Sequence, residues 1–207
     1  ALVPYPVMSQ DLYHALLRAV SPFEKGVSGL EVRALGSQGS GQIRPGRTAA
    51  VLVPILDKSE PEILLTVRAD TLPQHPGQVS FPGGAVDEAD QSAISTALRE
   101  AEEEIGLDFS QVSPMGFLDR LATISDYRVL PVVGLIDPSF VWQPNEHEVS
   151  EVFTIPMWLA VDHDQYTHHR YEMDGKTGVT SSMHWQGHLI WGITASILLN
   201  LGSRLGE

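Results

Sequence analysis

The chain has 207 residues and a formal net charge of −13, from 13 Lys and Arg against 26 Asp and Glu. An apolar fraction of 43% and a charged fraction of 19% are ordinary for a folded protein, and the length suits one domain. The negative charge argues against nucleic acid or an anionic membrane surface as the main partner. Because cysteine is absent, disulfides, thiolate metal sites and cysteine nucleophiles are excluded.

The N-terminal part of the chain predicts a helix followed by a flexible lead-in. Ser9 can cap a helix over Asp11–Val20, in which apolar residues recur on one face. The stretch Gly26–Gly46 is rich in Gly, Ser and Pro, and we expect it to be flexible from Leu35 onward.

The middle of the chain predicts two buried strands, a loop and a helix. The continuous apolar runs Ala49–Ile55 and Ile63–Val67 are typical of strands. The segment Thr71–Gly84 contains three prolines and three glycines, so we expect it to be mostly loop. By composition, Ser92–Ile105 is a helix that ends at Gly106.

The second half of the chain predicts further strands. They are Met115–Leu118 and Val129–Ile136 with a turn at Ser125–Tyr127, then Glu151–Ile155, a short helical piece at Met157–Val161, and a long hairpin that pairs Tyr166–Tyr171 with His184–Trp191. Helices stand before, within and after these strands. The sequence therefore predicts an α/β fold, with a mixed sheet covered on both faces.

The uncharged segment Leu189–Gly202, in the C-terminal part of the sequence, is the only candidate for a membrane span. It is shorter than the ~20 residues that a spanning helix needs. Its apolar residues share one helical face with Leu205, so we expect a buried C-terminal helix. Since Ala1–Met8 lacks the basic flank of a signal peptide, a soluble cytoplasmic protein is expected.

The most informative segment is the helix that carries four acidic side chains: Glu100, Glu102, Glu103 and Glu104. Like charges three and four residues apart share a face and repel one another, unless something positive lies beside them. A solvated acidic face with Arg99 as a surface ion-pair partner would explain a lone run of this kind. Here a loop that ends in Gly83-Gly84 precedes the helix. Carboxylates beside an accessible backbone carbonyl form an all-oxygen site suited to Mg²⁺ or Mn²⁺.

These residues resemble a known family. The pattern Gly84-x5-Asp90-x8-Arg99-Glu100-Ala101-x-Glu103-Glu104-x-Gly106-Leu107 resembles the Nudix box of pyrophosphate hydrolases. Upstream, Leu64-Leu65-Thr66-Val67-Arg68-Ala69 and Gly77-x3-Phe81-Pro82-Gly83-Gly84 resemble the signature of the coenzyme A pyrophosphatase branch. The resemblance implies a Nudix-type α/β/α sandwich. It also implies a single domain over 1–207, in which 1–46 is the N-terminal helix and lead-in and 47–207 is the catalytic core.

The resemblance implies metal-dependent hydrolysis of the pyrophosphate bond of coenzyme A or acyl-coenzyme A. The products would be 4′-phosphopantetheine and adenosine 3′,5′-bisphosphate. The implied metal ligands for Mg²⁺ or Mn²⁺ are Glu100, Glu103, Glu104 and the carbonyl of Gly84 or Ala85. Arg99 would orient these carboxylates. The general base could come from the box, as Glu100 or Glu103, or from a later loop, as Glu146, Glu148 or Glu151, of which Glu148 matches the family pattern best.

Candidate substrate contacts are Arg47, Arg68, His75 and Gln78, and the implied partner is a small nucleotide, with a homodimer plausible by analogy. Pro73 stands where the branch usually has Arg. A broader hydrolase of ADP-ribose, NADH or nucleotide sugars therefore stays open. The alternative from another class is a non-catalytic ligand-sensing module of the same fold. Such modules often lose box carboxylates, which this chain retains.

Overall fold

The structure, a computed structural model, describes residues 8–23, 48–123, 127–173 and 176–206. Its helices are α1 (Gln10–Ala19), α2 (Ala93–Ile105), α3 (Met157–Ala160) and α4 (Gly192–Leu205). Its strands are β1 (Thr48–Leu56), β2 (Glu62–Arg68), β3 (Val79–Ser80), β4 (Gly83–Ala85), β5 (Val112–Phe117), β6 (Leu121–Ala122), β7 (Arg128–Ile136), β8 (Val149–Pro156), β9 (Thr167–Met173), β10 (Lys176–Trp185) and β11 (His188–Trp191). Short 3₁₀ turns occupy Phe109–Gln111 and His163–Gln165.

The main sheet has eight strands and is mixed, as predicted. Its central order is β3-β2-β1-β7-β5, in which β1 and β7 run parallel and the other pairs are antiparallel. At the start of β1, the short β4 pairs on one side and β7 on the other. Next to β7 at the same end lies β6, and β8 pairs with β2. Four strands therefore lie side by side at this end, in the order β4-β1-β7-β6.

Both faces of the main sheet are covered, which confirms the predicted layering. On one face the small buried residues Ala97 and Ala101 of α2 pack against Ala50 and Leu52 of β1. On the other face, α1 and α4 contribute buried leucines to a second core cluster. Because alanines line the inner side of α2, this helix approaches the strands closely. Its polar side then lies at the edge of the interface.

Most predicted elements of the chain are confirmed, with small shifts at their ends. The first helix begins after Ser9, whose hydroxyl accepts the Leu12 backbone N–H at 3.2 Å, as expected of a cap. The loop predicted over Thr71–Gly84 contains β3 and the first two residues of β4. The flexible segment predicted within Gly26–Gly46 lies outside the described residues, as does most of the predicted turn at Ser125–Tyr127.

The predicted pairing of Tyr166–Tyr171 with His184–Trp191 is wrong. The strand β10 lies between β9 and β11 and pairs with both, which forms a separate three-stranded sheet. Its first half is rich in Gly, Thr and Ser and lacks an apolar run, so composition did not indicate a strand. Trp185 pairs with His188 across a two-residue turn. Both turn residues, Gln186 and Gly187, have positive φ, as hairpin turns of this length require.

The C-terminal helix is buried, as predicted. Ala195, Ile197, Leu198 and Leu201 of α4 are fully enclosed, and the Thr194 hydroxyl donates to the Val79 carbonyl at 2.9 Å. Within the described ranges, we find no helix with both the length and the apolar character needed to cross a membrane.

Candidate active site

Local sequence signals fix the ends of α2, the helix that carries the acidic residues. At its start, Ser92 and Ser95 form a reciprocal capping box: the Ser95 N–H donates to the Ser92 hydroxyl at 3.1 Å, and the Ser92 N–H to the Ser95 hydroxyl at 2.8 Å. At its end, Gly106 adopts the left-handed conformation with φ of 71°. The register of every acidic side chain on the helix is therefore set.

The double glycine brings a bare backbone against this helix. Gly83 and Gly84 pair with Val51 and Ala50 at the start of β1. A Cβ atom on Gly83 would overlap the backbone of β1, and a Cβ on Gly84 would overlap the Glu100 carboxylate. Position 83 therefore requires glycine, whereas a side chain at position 84 would displace the Glu100 carboxylate. As a result, the Glu100 carboxylate lies directly against the backbone of β4.

Arg99 is anchored by Asp90, the acidic residue nine positions before it. Its Nε and Nη2 donate to the two Asp90 oxygens at 3.1 and 3.0 Å. The Thr96 hydroxyl donates to Asp90 at 2.8 Å, and only 5% of the Asp90 side chain is exposed. Hydrogen bonds from Arg99 lower the pKa of Asp90 to about 2, and the same pairing raises the pKa of Arg99. The guanidinium is therefore fixed and permanently charged.

The remaining donors of Arg99 contact the box itself. Its Nη1 lies 2.9 Å from Glu100 Oε1 and 3.0 Å from Glu103 Oε2, and its Nη2 donates to the Ala85 carbonyl at 3.3 Å. Glu103 is the more open of these two acids, with 52% of its side chain exposed against 15% for Glu100. Arg99 thus joins the helix to the loop before it.

Glu104 is the buried acid of the site, with 4% of its surface exposed. Burial raises its pKa to about 8, and the nearby charges of Glu100 and Glu148 act in the same direction. The positive charge of Arg68 and a hydrogen bond from the Gly83 backbone oppose this rise. The pKa of Glu100 is also raised, mainly by burial, although Arg99 counteracts the effect. The acids therefore crowd one another in a partly enclosed space.

Glu148, from a later loop, reaches the same place. Its charge interacts with both Glu100 and Glu104. Two contacts hold it there: its carbonyl accepts the Ala69 N–H at 2.9 Å, and its Oε1 accepts the Asn145 amide at 3.3 Å. The Asn145 backbone N–H in turn donates to the Glu104 carbonyl at 2.9 Å, so the loop is bonded to the end of α2.

The structure places the predicted substrate contacts unevenly. Arg68 lies beside Glu104, and its Nε is buried without a hydrogen-bond partner among the described residues. His75 is exposed in a turn with φ of 55°, where its carbonyl accepts the Gln78 N–H at 3.3 Å. The Gln78 carbonyl accepts the Arg68 N–H at 3.0 Å, so the backbone of this turn supports Arg68. Arg47 lies outside the described residues.

Sequence reasoning missed two supporting residues. Asp90 enters the sequence pattern only through its spacing, although an acid before Arg99 is a signal that the two can pair. Asn145 carried no such signal, because only the folded loop brings it to Glu148. Within the described part of the chain, no group of three His, Asp or Glu side chains is closely enough arranged to enclose a metal ion. Two of the predicted ligands, Glu100 and Glu103, are engaged by Arg99 instead.

Sequence comparisons identify the family to which the chain belongs. A family model described as the NUDIX domain matches residues 46–173. A relative from Yersinia pestis (strain Pestoides F), named as the uncharacterized Nudix hydrolase NudL, is 42% identical over 159 residues, which cover 77% of this chain and 80% of the relative. A NudL of Yersinia pseudotuberculosis serotype O:1b (strain IP 31758) matches to the same extent.

Structural comparison supports the fold alone. The crystal structure of a MutT/nudix family protein from Enterococcus faecalis superposes with a TM-score of 0.50 and 16% identity, over 82% of this chain and 65% of that protein.

A mixed sheet lies between helices, with an acidic helix beside a glycine-bearing strand, which is an α/β fold of the Nudix type. The chain belongs to the Nudix hydrolase family. Members of this family cleave pyrophosphate bonds in small nucleotide substrates and generally use divalent metal ions.

Proposed function

We propose that this protein hydrolyses the pyrophosphate bond of coenzyme A or acyl-coenzyme A, with Mg²⁺ or Mn²⁺ as cofactor. The proposal rests on the upstream signature that resembles the coenzyme A pyrophosphatase branch, together with one structural observation. That observation is the convergence of Glu104 and Glu100 of α2 with Glu148 of the later loop, beside the bare backbone of Gly84. The products would be 4′-phosphopantetheine and adenosine 3′,5′-bisphosphate.

The donor set fits a hard divalent cation. The acids are all oxygen donors, and cysteine is absent from the chain. Glu100, Glu103 and Glu104 would hold the ion, together with the backbone carbonyl of Gly84 or Ala85. A bound divalent ion lowers the pKa of a bound water and stabilises charge on the phosphorus under attack. Binding the ion requires Glu103 to exchange its contact with Arg99, and its exposed position permits that exchange.

Residues of the chain itself would carry the remaining steps. Glu148 is the proposed general base: it would accept a proton from the attacking water, with its carboxylate oriented by Asn145. Arg68 would bind a pyrophosphate oxygen through its unpartnered Nε. Arg99 would maintain the positions of Glu100 and Glu103 without touching the substrate. The pyrophosphate could then approach an acidic surface only with its cation.

A substrate panel tests this proposal. Purified protein is assayed with coenzyme A, ADP-ribose, NADH and 8-oxo-dGTP, in Mg²⁺, in Mn²⁺ and in chelator. We expect the highest kcat/KM on coenzyme A and no turnover in chelator. Replacing both Glu103 and Glu104 with Gln should abolish turnover, whereas Glu102→Gln, on the exposed side of the same helix, should not. Near-native turnover in a folded double variant would contradict the metal-site assignment.

The same panel addresses the broader activity that Pro73 leaves open. Pro73 is exposed in the turn between β2 and β3, at the position where the branch usually has a phosphate-binding candidate. If ADP-ribose or NADH is cleaved with equal or higher kcat/KM, the protein is a general nucleoside-diphosphate hydrolase. If no substrate is cleaved in either metal, the ligand-sensing alternative is favoured.

A further inference from the structure

Two further arginines of the main sheet are not used by the proposed mechanism. They are Arg120, just before β6, and Arg128, the first residue of β7. We infer that Arg120 and Arg128 form a subsite for a phosphate monoester of the substrate, separate from the pyrophosphate. The inference rests on the proposed function, and it specifies which nucleotides the site would prefer.

Strand register places both arginines on one face of the sheet. Leu121 pairs with Val129, and both pack into the core on the α4 side. Side chains alternate along a strand, so Arg120 and Arg128 project from the opposite face, as does Leu130, which packs with α2. Diagonal neighbours in an antiparallel pair lie ~7–8 Å apart, within reach of two long side chains.

The local chemistry of this pair is that of an anion site. Nη1 of Arg128 is buried and has no hydrogen-bond partner among the described residues. Partial burial lowers the pKa of Arg120, and the positive charge of Arg128 lowers it further, so the two charges act on each other. The buried Nη1 donor of Arg128 costs free energy unless a ligand accepts its hydrogen bond. A phosphate oxygen would accept from this donor and would lie beside the second cation, Arg120.

The position of the pair relative to the acidic site fits a nucleotide that bridges the two. Arg128 pairs with Thr48 of β1, and the Thr48 carbonyl accepts the N–H of Val86, directly after β4. Two strand spacings of ~4.8 Å separate β7 from β4, or roughly 10 Å in all. The two arginines therefore lie on the α2 face of the sheet, at a distance from Gly84 that one nucleotide can span. A phosphate on the ribose of the nucleotide is the group that this separation favours.

Two substrates that differ by one phosphate test the subsite: coenzyme A and 3′-dephospho-coenzyme A. For Arg128→Gln and Arg120→Gln, we expect kcat/KM to fall ~10-fold or more on coenzyme A and to change less than ~2-fold on the dephospho substrate. Arg128→Lys should recover part of the loss. Arg170→Gln, an exposed arginine on the separate sheet, should match the wild type on both substrates. Equal losses on the two substrates, or no loss on either, would overturn the inference.

A binding measurement tests the subsite without requiring turnover. Calorimetry with adenosine 3′,5′-bisphosphate and with AMP should show that Arg128→Gln weakens only the bisphosphate, with thermal unfolding as the check on folding. If the wild type cleaves neither coenzyme A substrate, the proposed function fails, while this measurement still decides the subsite.

Discussion

Replacing Glu104 with Gln should stabilise the metal-free protein at pH 8 and leave it nearly unchanged at pH 5. Glu104 is 4% exposed, and burial raises its pKa from 4.5 to about 8. A carboxyl whose pKa is raised on folding keeps its proton in the folded protein while the unfolded chain has released it. The contribution of Glu104 to the free energy of unfolding is therefore fully present below about pH 4.5, and it is lost as the pH rises to about 8.

The size of the effect follows from that pKa. Each unit of difference between the folded and the unfolded pKa is worth roughly 1.4 kcal/mol. The free energy of unfolding can therefore fall by at most about 4 kcal/mol at pH 8. Water entry and side-chain rotation relieve a buried charge, and we expect about 2 kcal/mol to be measured. Gln has the same shape, and its amide oxygen can still accept the Gly83 N–H. The variant thus removes the charge and keeps the contact.

Denaturant unfolding in chelator at pH 5 and pH 8 measures this difference. The matched control is Glu102→Gln, which removes an exposed acid from the same helix and should change stability by less than ~0.5 kcal/mol. Millimolar Mg²⁺ should stabilise the wild type more than Glu104→Gln at pH 8, because the ion supplies the missing positive charge. If Glu104→Gln gains no more stability over the wild type at pH 8 than at pH 5, the reasoning about this buried acid is refuted.

Three further variants test the supporting contacts. Gly84→Ala should reduce kcat at least ~100-fold, because its methyl group displaces the neighbouring carboxylate on α2, and normal turnover would contradict the close approach. Asp90→Asn should destabilise the protein by ~1–2 kcal/mol at pH 7 in urea melts, through the loss of its pairing with Arg99. Because the pKa of Asp90 is lowered to about 2, the difference in the free energy of unfolding between the wild type and Asp90→Asn should shrink as the pH falls from about 4 toward 2. A difference that does not change with pH would argue against the pairing. Asn145→Ala should lower kcat ~10-fold with little change in KM, since Glu148 loses its amide donor; an unchanged kcat would exclude this positioning role.

The sequence predicted the parts of the fold that depend on local pattern. Continuous apolar runs located β1 and β2, and Ser9 and Gly106 marked the ends of two helices. The alanine stripe of α2 indicated close packing on the sheet, which the buried Ala97 and Ala101 confirm. These features depend on residues close together in sequence, so periodicity and capping preferences suffice to find them.

Contacts between distant segments were harder to predict. The strand β10 lacks an apolar run, and only its pairing with two neighbours stabilises it. Asn145 matters because a loop 40 residues beyond α2 returns to the carbonyl of Glu104. Arg128 shows the same limit, since the position of its buried donor depends on the register of β7 with β6.

We propose that acids of α2 and of the later loop, together with a divalent cation, support the attack of water on a pyrophosphate bond of coenzyme A. The most direct measurement is a single-turnover reaction with coenzyme A in Mg²⁺, followed by phosphorus NMR, for the wild type and for the Glu103→Gln and Glu104→Gln double variant. We predict that the wild type converts coenzyme A to 4′-phosphopantetheine and adenosine 3′,5′-bisphosphate, and that the folded double variant does not. Intact coenzyme A after incubation with the wild type, or equal conversion by both proteins, would contradict the claim.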